Sequence, residues 1–479
     1  MPDKTGVRIQ RDSLGEVEVP AEAYYGAQTA RARENFPISG LTAHPQFIRA
    51  TAMVKQAAAE ANMALGELDP ALGRAIVQAA QEIVAGRWHD QFVVDVFQAG
   101  AGTSHNMNTN EVIANRANEI LGRPLGANKP VHPNDHVNMA QSTNDVFPTA
   151  MRVAALLLLA ELYPALEHLA GALDDKAREF DHIVKAGRTH LQDAVPVRLG
   201  QEFGAYAEAV RRGTQRIRAA AASLLELNIG GTAAGTGLNS HPQYREEVVR
   251  RLKAITGFDV RPAANLQERM QSLADFADVS SALKVLALEL IRIANDLRLL
   301  SSGPFTGLGE IVLPAVQPGS SIMPGKVNPV MAEVTDMVCF QVVGNDLTIA
   351  MATQAGQLEL NVMMPVVNHN LLQSITIITN VARVFADRCI VGIVANAERC
   401  RDLVERSSAL ATALNPYIGY EAAAKVAQEA VASGRTIREI VLARGLLMPE
   451  EMDQVLDPVG MTTPRPRLNV GVAKRPKQD

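Results

Sequence analysis

The chain has 479 residues, with 46 Lys and Arg against 51 Asp and Glu, a formal net charge of −5 and a pI near 6.1. That balance excludes a protein held to nucleic acid by a broad basic surface, and 47% hydrophobic residues exclude a disordered chain. A length about three times that of a common single domain predicts more than one core.

Only 4% of the residues are aromatic, so Ala and Leu carry the apolar content, a mix that favours long helices over sheets. The opening residues Met1-Pro-Asp-Lys-Thr-Gly are polar and lead into no apolar stretch, so no secretory signal is expected. The longest apolar run, Val153 to Ala160, closes at Glu161, which predicts a soluble chain with no membrane partner. Cys339, Cys389 and Cys400 are odd in number, widely spaced and outside any CxxC, so neither a disulfide framework nor a zinc site is expected. A reducing, cytoplasmic location follows as the expectation.

Over the first hundred residues, polar and apolar segments alternate with frequent turns, a broken helical pattern. From about residue 145 the character changes. Met151 to Phe180 and Val197 to Asn228 are long, rich in Ala and Leu and nearly free of Gly and Pro, which predicts long helices. Val279, Leu283, Leu286, Leu290, Ile293, Leu297 and Leu300 step by 4 and 3 along one seam, predicting a helix packed lengthwise in a bundle. The same stripe offers apolar area for burial between chains. Apolar helical stretches at about 331 to 350 and 358 to 390 complete a central bundle of roughly five helices. Beyond Cys400, Gly434 reads as a C-cap, Thr436-Ile-Arg-Glu439 as a capping box and Gly445 as a stop, giving a small helical domain. From Thr462 onward, Pro464, Pro466, Pro476 and several basic residues predict a disordered tail. The expected fold class is mostly α, in three domains: residues 1–142, a central bundle over 143–397, and 398–479.

Pro318-Gly-Ser-Ser-Ile-Met-Pro-Gly-Lys-Val-Asn-Pro329 interrupts strongly helical flanks with three prolines and two glycines. It combines adjacent hydroxyls, amides freed by glycine and one cation, with Asn328-Pro329 reading as an N-cap and first helical residue. Such a loop attracts anions. Three further segments are hydroxyl- and amide-rich: Gly100-Ala-Gly-Thr-Ser-His-Asn-Met-Asn-Thr-Asn-Glu111, Gln141-Ser-Thr-Asn-Asp145 and Gly187-Arg-Thr-His-Leu-Gln-Asp193. Singly, each reads as a capping or turn cluster; together they hold the donors, the imidazole and the cation needed to grip a small dicarboxylate and move a proton. Gly230-Gly-Thr-Ala-Ala-Gly-Thr-Gly237 lacks both the GK[ST] ending and the GxGxxG spacing of nucleotide loops. His132-Pro-Asn-Asp-His136 has Pro133 between its histidines and no HExxH glutamate, so no metal site is expected.

These motifs resemble the aspartase and fumarase superfamily. Gly319 to Pro329 resembles its signature loop, and the three clusters with His-Pro-Asn-Asp resemble its other active-site segments, in order. Asp12-Ser-Leu-Gly-Glu16, Tyr24-Tyr-Gly-Ala-Gln-Thr29, Glu34-Asn-Phe-Pro-Ile38 and Leu414-Asn-Pro-Tyr-Ile-Gly419 extend the likeness over nearly the whole chain. The resemblance implies a three-domain helical subunit whose five-helix bundle assembles a homotetramer, with each active site shared by three chains and no cofactor. It implies reversible anti-elimination to fumarate from a small dicarboxylate or amino-acid substrate, with Ser320 as general base and Ser321 and Lys326 stabilising the charge that develops. Thr103, Ser142, Thr143, Thr189, Lys326 and Asn328 would hold carboxylates, Asn144 and His190 would lie near the leaving group, and Glu333 would support the histidine. His132, Asn134 and Asp135 match an accessory anion site suggested for some fumarases. Ser142-Thr-Asn144, Val330-Met331 and Gly356-Gln-Leu-Glu-Leu360 resemble the aspartases, which release ammonia from L-aspartate, more than the class II fumarases, which release water from L-malate. Met364 stands where aspartases commonly have Glu and fumarases Lys. A catalytically inactive homologue would have lost the base, the lysine or the histidine, and all three are present.

Overall fold

The computed structural model describes residues 6–98 and 100–470, and its chain divides into two compact units. Five long helices, Thr143–Glu179, Leu199–Ala221, Ala274–Leu300, Val330–Thr353 and Met364–Phe385, form the long helical core, each giving one stretch to each unit. Thr143–Glu179 is long and apolar enough to cross a membrane, but its apolar residues lie in the protein interior and it carries the fully buried Arg152. It is a core helix.

The first unit comprises residues 1–164, 213–288 and 338–379. Helices Pro45–Ala64 and Pro70–Val84 each start with proline at the first helical position. Asp69 caps the second, its Oδ1 accepting from the N–H groups of Ala71 and Leu72. These two helices and Thr103–Ile120 enclose a core that includes Ile48, Ala52, Ile76, Ile83, Val112 and Ile113. Arg152 Nε donates to Asp275 Oδ2 at 2.8 Å and its Nη1 to Asn228 Oδ1 at 3.0 Å, tying Thr143–Glu179 to Ala274–Leu300. Asp346 accepts from Ser280 Oγ at 2.8 Å and from Lys284 Nζ at 2.5 Å, joining Ala274–Leu300 to Val330–Thr353. Buried charges are tolerable only when paired in this way.

The second unit comprises residues 165–212, 289–337 and 380–479. The stretch expected to be one helix from Val197 to Asn228 is α-helical over Leu199–Ala221 and ends in a 3-10 turn over Ala222–Leu225, and a β-hairpin precedes it. Strands Val184–Thr189 and Gln192–Arg198 pair antiparallel with Thr189 opposite Gln192. Beneath them lies a buried ionic cluster. Glu310, fully buried, accepts from Arg188 Nη1 at 2.9 Å and faces Lys185 Nζ at 3.3 Å, while Lys185 also reaches Glu202 at 2.9 Å. Helices Ala397–Arg406, Tyr420–Ser433, Ile437–Ala443 and Pro449–Val455 follow, around Val426, Ile437, Ile440, Val441 and Leu456. Gly434 is the left-handed C-cap and Thr436 with Glu439 forms the capping box, as the sequence predicts.

Three expectations need correction. The tail is not loose as far as Val470: Leu468 and Val470 pack on the C-terminal core, Leu468 N donates to the Tyr417 hydroxyl and Arg467 to the Pro416 carbonyl. Residues 471–479 lie outside the described residues. The seam from Val279 to Leu300 is buried within the single chain, so it supplies no apolar area for burial between chains. Asn328 does not cap the following helix with its side chain; its amide donates to Gly319 O at 2.6 Å instead.

Candidate active site

Ser142 caps the Thr143–Glu179 helix. Its Oγ accepts from Asn144 N at 3.2 Å, and its own N–H donates to Asp145 Oδ1 at 2.9 Å, so the cap hydroxyl takes the second residue's N–H while the third residue's carboxylate takes the cap's. Thr143 is buried, Ser142 and Asn144 half-buried. The other Asp145 oxygen accepts from Gly230 N at 3.0 Å and Thr232 N at 2.9 Å, and Asn144 Nδ2 donates to Ala233 O at 2.8 Å. The glycine-rich segment after Ile229 is thus the cradle of the Ser142–Asn144 turn.

Under the same turn, Lys55 Nζ donates to Asn138 Oδ1 at 2.9 Å and Gln141 Oε1 at 3.0 Å. Burial lowers the Lys55 amine to about 7 and raises the Asp145 carboxyl to about 7, each pulled back by the other's charge. Sequence reading assigned no role to either residue. Asp145 ends the quoted Ser-Thr-Asn-Asp run, and Lys55 is one of two cations, with Arg49, amid the apolar and Ala-rich residues of Pro45–Ala64, a signal that only its full burial makes legible.

Thr103 opens its helix after three left-handed residues, Gly100, Ala101 and Gly102, with φ of 71°, 55° and 90°. Its hydroxyl is exposed and donates to Gly100 O at 2.5 Å. Most of the polar cluster after it is spent inside the fold. Asn106 and Asn110 donate to Asn138 Oδ1, Asn108 bonds the backbone of Gln91 and Val93, and Glu111 accepts three N–H groups and a hydroxyl at the start of Ala27–Asn35. His105 is buried against Phe47 at 4.5 Å between ring centroids, and burial lowers it to about 3, a neutral core imidazole.

His190 and Leu191 form the two-residue turn of the Val184–Arg198 hairpin, with φ of 55° and 59°. Such turns ordinarily use Asn-Gly, so two side chains in the left-handed region mark stored strain. Thr189, His190 and Leu191 are exposed, and among the described residues the imidazole has no hydrogen-bond or ion-pair partner. Glu333, half-buried in the first turn of Val330–Thr353, makes no ion pair with it in the chain.

The loop before that helix closes on itself. Gly319 N donates to Lys326 O at 2.8 Å, and a Cβ at Gly319 would stand 2.5 Å from that oxygen, so only glycine fits. Ser320 Oγ accepts from Ile322 N at 3.2 Å and Met323 N at 2.9 Å. Two amide dipoles therefore point at the one oxygen that would carry charge after deprotonation. Ser321 and Lys326 are exposed, while Asn328 closes the loop's base through Gly319 O. Thr103 and Ser142 to Asn144 lie in the first unit; Thr189, His190 and the loop with Glu333 lie in the second. His132, Asp135 and His136 line an open hollow with Arg123 and Lys129, and His132 Nδ1 caps the backbone of Asn134 and Asp135.

The model of a lyase family matches residues 15–344, and that of the fumarase C C-terminus matches residues 410–463. The aspartate ammonia-lyase of Bacillus subtilis (strain 168) is 53% identical over 457 residues, covering 95% of this chain and 96% of the relative. The class II fumarate hydratase of Halobacterium salinarum is 54% identical over 456 residues, covering 95% and 97%. A crystal structure titled fumarate lyase:delta crystallin from Brucella melitensis superposes with a TM-score of 0.93 at 50% identity, covering 96% of this chain and all of that one. The class II fumarase of Schistosoma mansoni gives a TM-score of 0.93 at 40% identity, covering 95% and 99%.

Proposed function

Because the chain belongs to the lyase family that includes aspartate ammonia-lyases and class II fumarases, we propose that it is a carbon-nitrogen lyase that converts L-aspartate reversibly to fumarate and ammonia. The observation that carries the chemistry is the Ser320 hydroxyl receiving two N–H groups of its own loop. Those amides stabilise the alkoxide, which takes the proton from the carbon beside the distal carboxylate. The resulting aci-carboxylate carries added negative charge, met by Ser321 and Lys326 as the loop closes, a preorganised term worth several kcal/mol. The carbon-nitrogen bond then breaks, its electron pair leaving with nitrogen as the double bond of fumarate forms. Thr103, Ser142, Thr143, Thr189 and Asn328 hold the two carboxylates, and Asn144 and His190 lie at the leaving group.

Overall identity does not separate the two activities, since the relatives of each name stand at 53% and 54%. The residues do. An aspartate amine is already protonated at neutral pH and needs neutral acceptors, whereas hydroxide must receive a proton as it leaves. Thr143 and Val330-Met331 are the aspartase choices. A second reading, dehydration of L-malate, is favoured by Glu333, which matches the carboxylate that supports the histidine in fumarases. An inactive binding homologue is disfavoured by the retention of Ser320, Lys326 and His190.

The working molecule is a homotetramer whose sites are shared by three chains. Phe340, Leu347 and Met351 stand exposed on Val330–Thr353 at helical spacing. Cys339, Cys389 and Cys400, buried and outside any disulfide, suit a cytoplasmic enzyme. Fumarate absorbance from L-aspartate and from L-malate, measured on one preparation, tests the assignment. A higher kcat/KM for L-aspartate is expected, and a higher value for L-malate overturns it in favour of a fumarase.

A further inference from the structure

The Gly187-Arg188 half of the Gly-Arg-Thr-His segment has no role in the chemistry described so far, and neither has the buried ionic cluster beneath its hairpin. Lys185 and Arg188 face Glu202 and Glu310 there, so two cations balance two carboxylates. A buried ion pair contributes little net stability over apolar side chains of similar volume, because desolvation offsets the attraction. What apolar side chains cannot supply is direction, which a guanidinium held by a carboxylate has.

The two ends of the Arg188–Glu310 pair differ in how they are held. Glu310 is the fixed end: its side chain is fully buried, its N–H donates to Leu300 O at 2.9 Å, and its carbonyl accepts from Asn396 N at 2.9 Å. Arg188 is the aimed end. Lys185 and Arg188 stand three apart, which on a regular strand puts side chains on opposite faces, yet both reach Glu310. The ladder is irregular between them. Ala186 pairs with Pro196 and Gly187 with Ala194, leaving Val195 as the extra residue of a bulge, and a Cβ at Gly187 would run into the Val195 carbonyl oxygen. A bulge twists the ladder and re-aims the side chains beyond it. With Arg188 drawn onto Glu310, Thr189, next along the strand, points the other way and is exposed, just before the strained His190-Leu191 turn.

We propose that Glu310 is a positioning residue. Through the Arg188 guanidinium it sets the rotation of the strand beyond the bulge, and with it the direction in which the Thr189 hydroxyl and the His190 imidazole are presented to the substrate. The proposal rests on the lyase reading above, in which Thr189 holds a substrate carboxylate. Without the pair, the exposed hairpin tip keeps its ladder but is free to twist, and the Thr189 hydroxyl loses its fixed direction.

The test is Arg188→Met combined with Glu310→Leu, which removes both charges together and leaves Lys185 with Glu202. The KM for L-aspartate should rise at least about tenfold, while the thermal midpoint stays within about 4 °C of wild type. Placed in a Thr189→Ala chain, the same two substitutions should raise KM by less than about threefold beyond Thr189→Ala alone, because a hydroxyl that is gone cannot be misdirected. If the paired variant does not fold, Glu310→Gln, which keeps the shape and weakens the hold on Arg188, carries the same comparison. An unchanged KM overturns the proposal. So does an equal fold rise with and without the Thr189 hydroxyl, which marks a general loss of structure. Turnover of L-malate in place of L-aspartate overturns the ammonia-lyase reading alone, and the same comparison, made on L-malate, then decides the role of the pair.

Discussion

Ser320 and its two amide donors form a unit that can be dismantled one atom at a time. Ser320→Ala removes the proposed base while the loop retains its Gly319–Lys326 and Asn328–Gly319 bonds. The expected loss in kcat is at least about three orders of magnitude, roughly 4 kcal/mol, with unaltered circular dichroism. Near-normal turnover would remove Ser320 from the role. Ser320 and Lys326 were legible in the sequence because glycine and proline density isolates them from helical flanks. Asp145 and Lys55 were not, because their meaning lies in a cradle formed between residues 83 to 87 positions apart in sequence. His105 illustrates the opposite case, a residue in a site-like motif that is structural. Its folded-state pKa is depressed to about 3 by burial, so the unfolded chain binds a proton below about 6.5 that the folded chain refuses. This residue's contribution to stability is therefore present above 6.5 and is lost as pH falls toward 3, by about 1.4 kcal/mol per unit. Denaturant midpoints of His105→Gln should show a shallower acid decline than wild type over pH 6.5 to 5, and identical slopes would refute the assignment.

At the scale of elements, the helices were legible and the hairpin was not. Periodicity located the long helices, one end of some of them missed by several residues: the stretch expected over about 331 to 350 is Val330–Thr353, the one over about 358 to 390 contains Met364–Phe385, and the one from Met151 begins at Thr143. Such patterns survive because a helix reports its buried face every three or four residues. The Val184–Arg198 hairpin is short, and its turn is His190-Leu191 in place of a glycine pair, so nothing in the sequence announced a reversal. The same feature makes a prediction. Leu191 is 71% exposed with φ of 59°, so its side chain gains little from packing while its backbone is strained. Leu191→Gly should stabilise the protein by about 0.5–1 kcal/mol in denaturant unfolding, the left-handed penalty less the entropy cost of glycine. Destabilisation would mean that Leu191 is covered by another chain at the hairpin tip.

For the whole molecule, the seam that the sequence singled out turns inward and a different surface is left to explain assembly. Ala274–Leu300 spends its Val279 to Leu300 stripe inside the chain, whereas Val330–Thr353 buries Cys339, Val342 and Ile349 and still exposes Phe340, Leu347 and Met351. With Gly344 these three step by 4, 3 and 4, and a Cβ at Gly344 would meet nothing within 4 Å. A smooth apolar seam with a glycine at its centre permits close approach of another helix. Each large side chain on it would gain about 1.5–3 kcal/mol on full burial, which favours a permanent assembly over a solvated face. Leu347→Glu places an unpaired charge in the middle of that seam. It should convert the proposed tetramer to smaller species in sedimentation and lower kcat by about a hundredfold or more, because desolvating a lone carboxylate exceeds what one leucine contributed. Loss of assembly with full activity would separate catalysis from the tetramer, and an unchanged sedimentation coefficient would remove this face from the interface.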